Sequence, residues 1–190
     1  LCVQVLPAWS QQDPAKKPAP LPPAPPEGVV IQENVAYLPE GRNETADLYL
    51  PAKRPAGFRA QAVVIIHGGG FPGGDKAMAR EFNIGTTLAL NGYVAMSINY
   101  LLATKDKPSW PQNIHDCMTA VRWLRKNADK YQIYADHIGA IGGSAGGHLA
   151  AAVALCPGFD AAEDDAKISG IPNAMLLYNP ALNLKGRPIP

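Results

Sequence analysis

The chain has no strong excess of either charge and no apolar run of membrane-spanning length. Its 17 lysines and arginines balance 16 aspartates and glutamates, for a net charge of +1, which argues against a nucleic acid as partner because such proteins present a basic surface. The lack of a long apolar run predicts that no segment spans a membrane. The four histidines and the cysteines have no metal-ligand spacing, so no metal site is predicted.

Cysteine is also scarce. Three thiols neither support nor exclude a disulfide-containing, exported protein. Cys2 lies in the N-terminal apolar segment, whereas Cys117 and Cys156 lie in the body of the chain. A disulfide between Cys117 and Cys156 is one alternative, but we expect both to be buried as free thiols.

Proline, in contrast, is abundant, with 19 residues concentrated near the N-terminus. Residues 11–27 are predicted to form an extended, solvated linker. Residues 1–10 resemble the end of a signal peptide, since an apolar segment is followed by small residues. This resemblance predicts export to the periplasm or the exterior, with a cytoplasmic protein as the alternative. The folded domain is predicted to occupy residues 28–190.

One glycine-rich run, Gly142-Gly143-Ser144-Ala145-Gly146-Gly147, follows an apolar, strand-like segment. It fits G-x-S-x-G, the pattern of a nucleophile elbow, in which a strand turns sharply into a helix and exposes the serine hydroxyl. Gly142 and Gly146 suit a turn with little room for side chains. The run therefore predicts Ser144 as a catalytic nucleophile. A flexible glycine-serine loop is the alternative.

A second run, His67-Gly68-Gly69-Gly70-Phe71, directly follows the apolar stretch 62–66. A continuous β-branched stretch is typical of a central parallel strand, and an HGGG sequence after such a strand builds the oxyanion hole of lipases and esterases. The expected donors are the backbone amides of Gly69, Gly70 and Ala145. Two motifs in this order and context favour acyl transfer over a flexible loop.

The first two residues of the second run are expected to have a structural role. His67 follows a buried strand directly, so we expect it to hydrogen-bond the backbone and, with Gly68, to shape the loop rather than to act as a general base.

Short apolar runs alternate with helical patterns, which predicts an α/β fold. In the longest helical pattern, residues 112–130, apolar residues recur at spacings of three and four, and Arg122 is expected to face away from the core. At its start, Asp116 is expected to be a carboxylate favoured by the helix dipole, and His115 a solvated imidazole. A solvated acidic loop is predicted further on, at Asp160, Glu163, Asp164 and Asp165.

The two glycine-rich runs resemble the carboxylesterase branch of the α/β-hydrolase superfamily, and so do the runs at residues 46–51 and 93–100. The resemblance covers residues 43–184 and is nearest to the hormone-sensitive-lipase-like and the bacterial feruloyl or acetylxylan esterase-like groups. It implies an eight-stranded, mostly parallel sheet with helices on both faces. It also implies acyl-enzyme catalysis without a cofactor, on a small-molecule or polysaccharide-linked ester, the latter by family analogy alone.

The resemblance also implies a histidine base and an orienting acid, both located after the serine in the chain. His148 is the sole histidine after Ser144, and it lies one helical turn away, where its side chain is expected to pack along the helix instead of facing the hydroxyl. We therefore expect residues 28–190 to be the N-terminal portion of the domain, with the triad acid and histidine missing. Such a portion would leave a sheet edge uncovered.

Two other functions share these motifs. A serine peptidase of the prolyl-oligopeptidase type has the same elbow, although the HGGGF run and the small Ala145 favour an esterase. A non-catalytic α/β-hydrolase used as a binding module would keep the fold and lack part of the triad.

We expect the 190-residue chain on its own to be catalytically silent and poorly stable, because it lacks a base for Ser144. The full-length protein, in contrast, should hydrolyse p-nitrophenyl acetate. Parallel assays of the two forms check this expectation, and robust turnover by the 190-residue chain would contradict it.

Overall fold

The computed structural model describes residues 23–156, 158–162 and 164–185. The predicted signal-peptide remnant, residues 1–10, and most of the predicted linker lie outside the described residues. No helix in the described part is long and apolar enough to cross a bilayer. The elements are, in chain order, β1 Val29–Val35, β2 Ala46–Pro51, β3 Ala60–Ile66, α1 Ala79–Leu90, β4 Val94–Ile98, α2 Gln112–Lys126, α3 Ala128–Tyr131, β5 Ile133–Gly143, α4 Ala145–Leu155 and β6 Ala174–Tyr178.

The strands form one sheet in the order β1-β2-β4-β3-β5-β6. Strand β2 runs antiparallel to both of its neighbours, and the pairings β3–β4, β3–β5 and β5–β6 are parallel. Helix α1 packs on one face, whereas α2 and α4 pack on the other. The predicted α/β-hydrolase fold, a mostly parallel sheet with helices on both faces, is confirmed. The described residues contribute six strands rather than the eight implied by the resemblance.

The central strands β3 and β4 are largely apolar because both of their faces are covered. Along β3, Val64 and Ile66 belong to the core beneath α2 and α4, while Ile65 belongs to the smaller core beneath α1. Strand β6 differs: within the described residues it pairs only with β5, and several of its apolar side chains are exposed, namely Met175, Leu176 and Tyr178.

Helix α2 buries its predicted apolar face, but the expectation for Arg122 is wrong. The Arg122 side chain is buried, and its Nη1 donates to Asp164 Oδ2 at 2.7 Å while its Nη2 contacts Asp160. Its Nε donates to Ile168 O at 2.8 Å. Burial is tolerated because these acceptors replace water around the guanidinium. The acidic loop is therefore partly an ion-pair partner of α2 and is not simply solvated.

Asp116 is fully buried and lies beyond the first turn of α2, so the expectation of a carboxylate favoured by the helix dipole is wrong. Arg42 donates to both of its carboxylate oxygens, at 2.9 and 2.7 Å. The Leu101 amide donates at 2.8 Å and Gln112 Nε2 at 3.0 Å. Asp116 thus joins the loop before β2, the loop after β4 and helix α2.

Both described cysteines are free, but they differ in environment. Cys117 is buried on α2, and burial raises the pKa of its thiol well above the ordinary value. Cys156 is exposed directly after α4, so the expectation that both thiols are buried is wrong for Cys156. The last turn of α4 extends beyond the packed core, so Cys156 contacts solvent.

Replacement of Asp116 by alanine should destabilise the fold by about 3 kcal/mol, because it leaves Nη1 and Nη2 of the partly buried Arg42 and the Leu101 amide without their acceptor. Urea unfolding measures this change. The matched control is Asp129→Ala, which removes an exposed carboxylate bonded to Arg59 and should change the stability little. Equal losses in the two variants would contradict a special role for Asp116.

Candidate active site

Ser144 occupies the single residue between β5 and α4. Its backbone has φ 54° and ψ −119°, a conformation that non-glycine residues rarely adopt and that accumulates at functional sites. Ser144 is exposed, although Gly143 before it and Ala145 after it are buried. The chain therefore presents one hydroxyl at the surface of an otherwise buried turn.

The glycines around Ser144 are required for space. A Cβ on Gly142 would overlap Gly146 O, and a Cβ on Gly146 would overlap Ile66 O. Neither glycine has a positive φ, and the left-handed angle of the turn falls on Ser144 itself. The turn is thus tight because the start of α4 packs directly on the backbone at the end of β3.

The same close packing brings the two glycine-rich runs together. A Cβ on Gly68 would lie 2.8 Å from Gly143 O and 3.4 Å from Ser144 Cβ. The loop after β3 therefore lies directly beside the turn after β5, as expected for neighbouring parallel strands whose carboxyl ends share one edge of the sheet.

Three backbone amides near Ser144 are open to a ligand. Gly69 and Gly70 are exposed, and within the described part of the chain their amides donate to no acceptor. Ala145 begins α4, so its amide has no partner inside the helix. The Ser144 amide, in contrast, already donates to Tyr178 O at 3.0 Å.

The loop conformation at Gly69 requires glycine. Its φ is 134°, and a Cβ there would overlap Gly73 O. The Gly73 amide donates to Gly69 O at 3.2 Å. Phe71 also has a positive φ, 80°, which the sequence did not indicate. The loop thus folds back on itself just after the exposed amides.

His67 is completely buried below this loop. Its Nδ1 donates to Gly68 O at 2.7 Å, and its ring stacks on Tyr100 with centroids 4.4 Å apart. The Tyr100 hydroxyl donates to His67 O at 2.8 Å. Nε2 is buried and has no partner among the described residues. Burial lowers the pKa of His67, which keeps the ring neutral.

Sequence reasoning missed the anchor at the far end of the loop. Lys76 and Asp47 form a buried ion pair with Nζ and Oδ1 2.7 Å apart. Asn99 Oδ1 accepts from the Lys76 amide at 2.7 Å, and the Ser97 hydroxyl donates to Lys76 O at 2.8 Å. One signal was available, since Asp47 is a single charge within the apolar run 46–51.

An apolar cavity of about 410 Å³ opens between the loop after β3 and α4. No sequence pattern indicated it, because its walls come from four separate segments. It is lined by Phe71, Pro108, Ser109, Trp110, Asn113, His148, Leu149 and Leu184.

The Ser144 hydroxyl has no hydrogen-bond partner among the described residues, and His148 is engaged elsewhere. His148 Nδ1 donates to Ala181 O at 3.0 Å, so this ring is bonded to the segment after β6. The described residues contain no group of histidine, cysteine and carboxylate side chains that could hold a metal ion.

Comparison with known proteins identifies the family. Residues 46–172 match the BD-FAE family. Esterase LipQ of Mycobacterium tuberculosis is 31% identical over 137 residues, which are 68% of this chain and 32% of LipQ. Human arylacetamide deacetylase-like 2 is 32% identical over 146 residues, 75% of this chain and 34% of that protein.

Solved structures give the same result. Thermogutta terrifontis esterase 2, phosphoramylated by tabun, superposes with a TM-score of 0.73 at 31% identity, covering 87% of this chain and 62% of that one. The chain thus spans about a third of the length of these curated relatives. From the family match and the shared strand arrangement, the chain belongs to the BD-FAE family and has the α/β-hydrolase fold.

Proposed function

We propose that the full-length protein is a serine carboxylic-ester hydrolase with Ser144 as its nucleophile. The observation that carries the proposal is the exposed Ser144 at a strained strand-to-helix turn, directly beside unpaired loop amides. The similarity to esterases and deacetylases supports it.

The chemistry would proceed in two steps. Ser144 Oγ attacks the ester carbonyl, and the resulting oxyanion accepts hydrogen bonds from the amides of Gly69, Gly70 and Ala145. Collapse releases the alcohol and leaves an acyl-serine, which water then hydrolyses to the acid. Each amide donor contributes roughly 3 kcal/mol to the lowering of the barrier, and fixed backbone donors need no rearrangement as charge develops.

The general base and its acid would come from sequence other than the residues that the structure describes. This part of the proposal rests on His148, whose Nδ1 is bonded to Ala181 O, and on His67, which is buried with Nδ1 bonded to Gly68 O. The greater length of the relatives is compatible with it.

His67 and Gly68 would shape the oxyanion loop. The Tyr100 hydroxyl fixes the His67 carbonyl, and His67 Nδ1 donates to Gly68 O, so two hydrogen bonds hold the start of the loop. Lys76 and Asp47 would fix its other end. A loop held at both ends supports preorganised amide donors.

Small esters with an apolar group are the proposed substrates. The lining of the 410 Å³ cavity supports an apolar acyl or alcohol group, and the esterase from Thermogutta terrifontis has structures with butyrate and propionate bound. A polysaccharide-linked ester is a further proposed substrate, which applies if the protein is exported. The esterase and deacetylase relatives favour ester hydrolysis over the peptidase alternative, and the exposed serine beside unpaired amides favours an enzyme over a binding module.

A fluorophosphonate should label the full-length protein at Ser144, and Ser144→Ala should abolish both the label and the hydrolysis of p-nitrophenyl esters. Peptide mass spectrometry locates the label. The matched control is Ser169→Ala, which removes an exposed hydroxyl in the loop before β6 and should leave labelling at Ser144 intact. Labelling of another residue, or full activity of Ser144→Ala, would overturn the proposal.

The buried neutral ring of His67 should make stability depend on pH. Because folding lowers the pKa of His67 below its ordinary value of 6.5, the unfolded chain binds more protons below that pH, and stability falls as the pH falls. His67→Gln should reduce this slope between pH 7.5 and pH 5, because the variant has no imidazole to protonate on unfolding. Urea unfolding at both pH values measures it.

His137→Gln is the control for this experiment, since His137 is an exposed histidine beside Asp136. Its slope should stay closer to that of the wild type than the slope of His67→Gln, because the His137 side chain is exposed in the folded state. A His67→Gln slope equal to that of the wild type would mean that the folded state does not resist protonation of His67.

A further inference from the structure

The end of β6 and the segment that follows it cross the start of α4, and together they are bonded to the backbone of Ser144 on both sides. Tyr178 O accepts from the Ser144 amide at 3.0 Å, and the Ala181 amide donates to Ser144 O at 3.1 Å. Pro180 packs against α4, since a Cβ on Gly147 would lie 3.0 Å from Pro180 Cβ. Residues 179–184, here called the crossing segment, are thus held close to the nucleophile.

His148 adds a side-chain bond to the same segment. Its Nδ1 lies 3.0 Å from Ala181 O, and because a carbonyl can only accept, Nδ1 carries the proton and donates. When the ring is neutral, this bond fixes the tautomer with Nε2 unprotonated. Ala181 is therefore bonded through its amide to Ser144 and through its carbonyl to His148.

The His148 ring also contacts the oxyanion loop. It packs edge-to-face against Phe71, with centroids 5.7 Å apart and an interplanar angle of 89°. Both rings line the 410 Å³ cavity, and so does Leu184 at the end of the crossing segment. His148 thus connects two cavity walls that are far apart in sequence, one before α1 and the other after β6.

We propose that His148 is a positioning residue that holds the crossing segment and thereby sets the size of the cavity that selects the ester. This inference rests on the proposed function, because it assigns the cavity to substrate. His148 is not proposed as a general base, because its Nδ1 proton is donated to Ala181 O. It affects the substrate only by positioning the crossing segment, which forms a wall of the cavity.

The first test is structural and needs no substrate. In the full-length protein, His148→Leu should speed amide hydrogen exchange at residues 181–184 by roughly fivefold, since a hydrogen bond of ordinary strength is lost. His148→Asn should stay closer to the wild type, because its side-chain amide donates near the position of Nδ1. His137→Leu, at an exposed histidine on β5, is the matched control and should have no effect on this segment.

The second test measures selectivity with p-nitrophenyl acetate and hexanoate. His148→Leu should change the ratio of the two kcat/KM values by about tenfold, mainly through KM, as expected when a pocket wall shifts by the size of a methylene group. His148→Asn should retain more of the wild-type ratio. A loss of kcat of a hundredfold or more in both variants, with KM and selectivity unchanged, would instead assign His148 to proton transfer and overturn the inference.

A measurement on the unmodified protein covers the case in which His148→Leu does not fold. Nitrogen-15 NMR of the histidine ring should find the neutral His148 protonated at Nδ1, and the Nε2 tautomer would overturn the inference. Unchanged exchange at residues 181–184 in a folded His148→Leu would also overturn it. A failure of the proposed function would be recognised by a different result, namely the absence of a fluorophosphonate label on Ser144 of the wild type. The exchange and NMR measurements would still decide the role of His148 in that case.

Discussion

The site depends on the close approach of two backbones, the start of α4 and the end of β3. This approach is possible because Gly146 has no side chain to overlap Ile66 O. It places the strand-to-helix turn at the carboxyl edge of the sheet, where Ser144 takes the left-handed angle and its hydroxyl faces outward. It also sets Gly68 against Gly143 O, so the loop that carries the free amides is adjacent to the serine. A methyl group on Gly146 or on Gly68 would separate the loop after β3 from the turn that carries Ser144.

Polar contacts from distant parts of the chain then fix the loops around this backbone contact. The Tyr100 hydroxyl holds His67 O, the buried pair of Lys76 and Asp47 holds the far end of the same loop, and Asp116 ties the loop after β4 to α2. The first two contacts join segments that are separated by at least one strand or helix, and the third joins a loop to the helix that follows it. Groups that must stabilise developing charge need such support, because donors that had to reorganise would lose much of their effect.

The sequence predicted the parts of this arrangement that depend on local pattern. The two motifs follow β3 and β5 as expected, and the small-residue run 145–155 is the helix α4. The sequence could not predict the environment of Arg122 or Asp116, because a buried charge depends on partners such as Ile168 and Arg42 that no spacing reveals. For the same reason the cavity, whose walls come from four segments, left no local signal.

Strand β6 contributes no catalytic group, but it helps to stabilise the strained backbone of Ser144. A left-handed conformation at a non-glycine residue costs about 1 to 3 kcal/mol, and it persists only when surrounding contacts offset that cost. The bonds from Ser144 N to Tyr178 O and from Ala181 N to Ser144 O are two such contacts, each contributing about 1 kcal/mol net. They are comparable to the strain, and they act on the very peptide groups that flank the unusual φ. The sixth strand and the segment after it therefore belong to the nucleophile elbow as much as β5 and α4 do, and the serine is held in place from both sides of the turn.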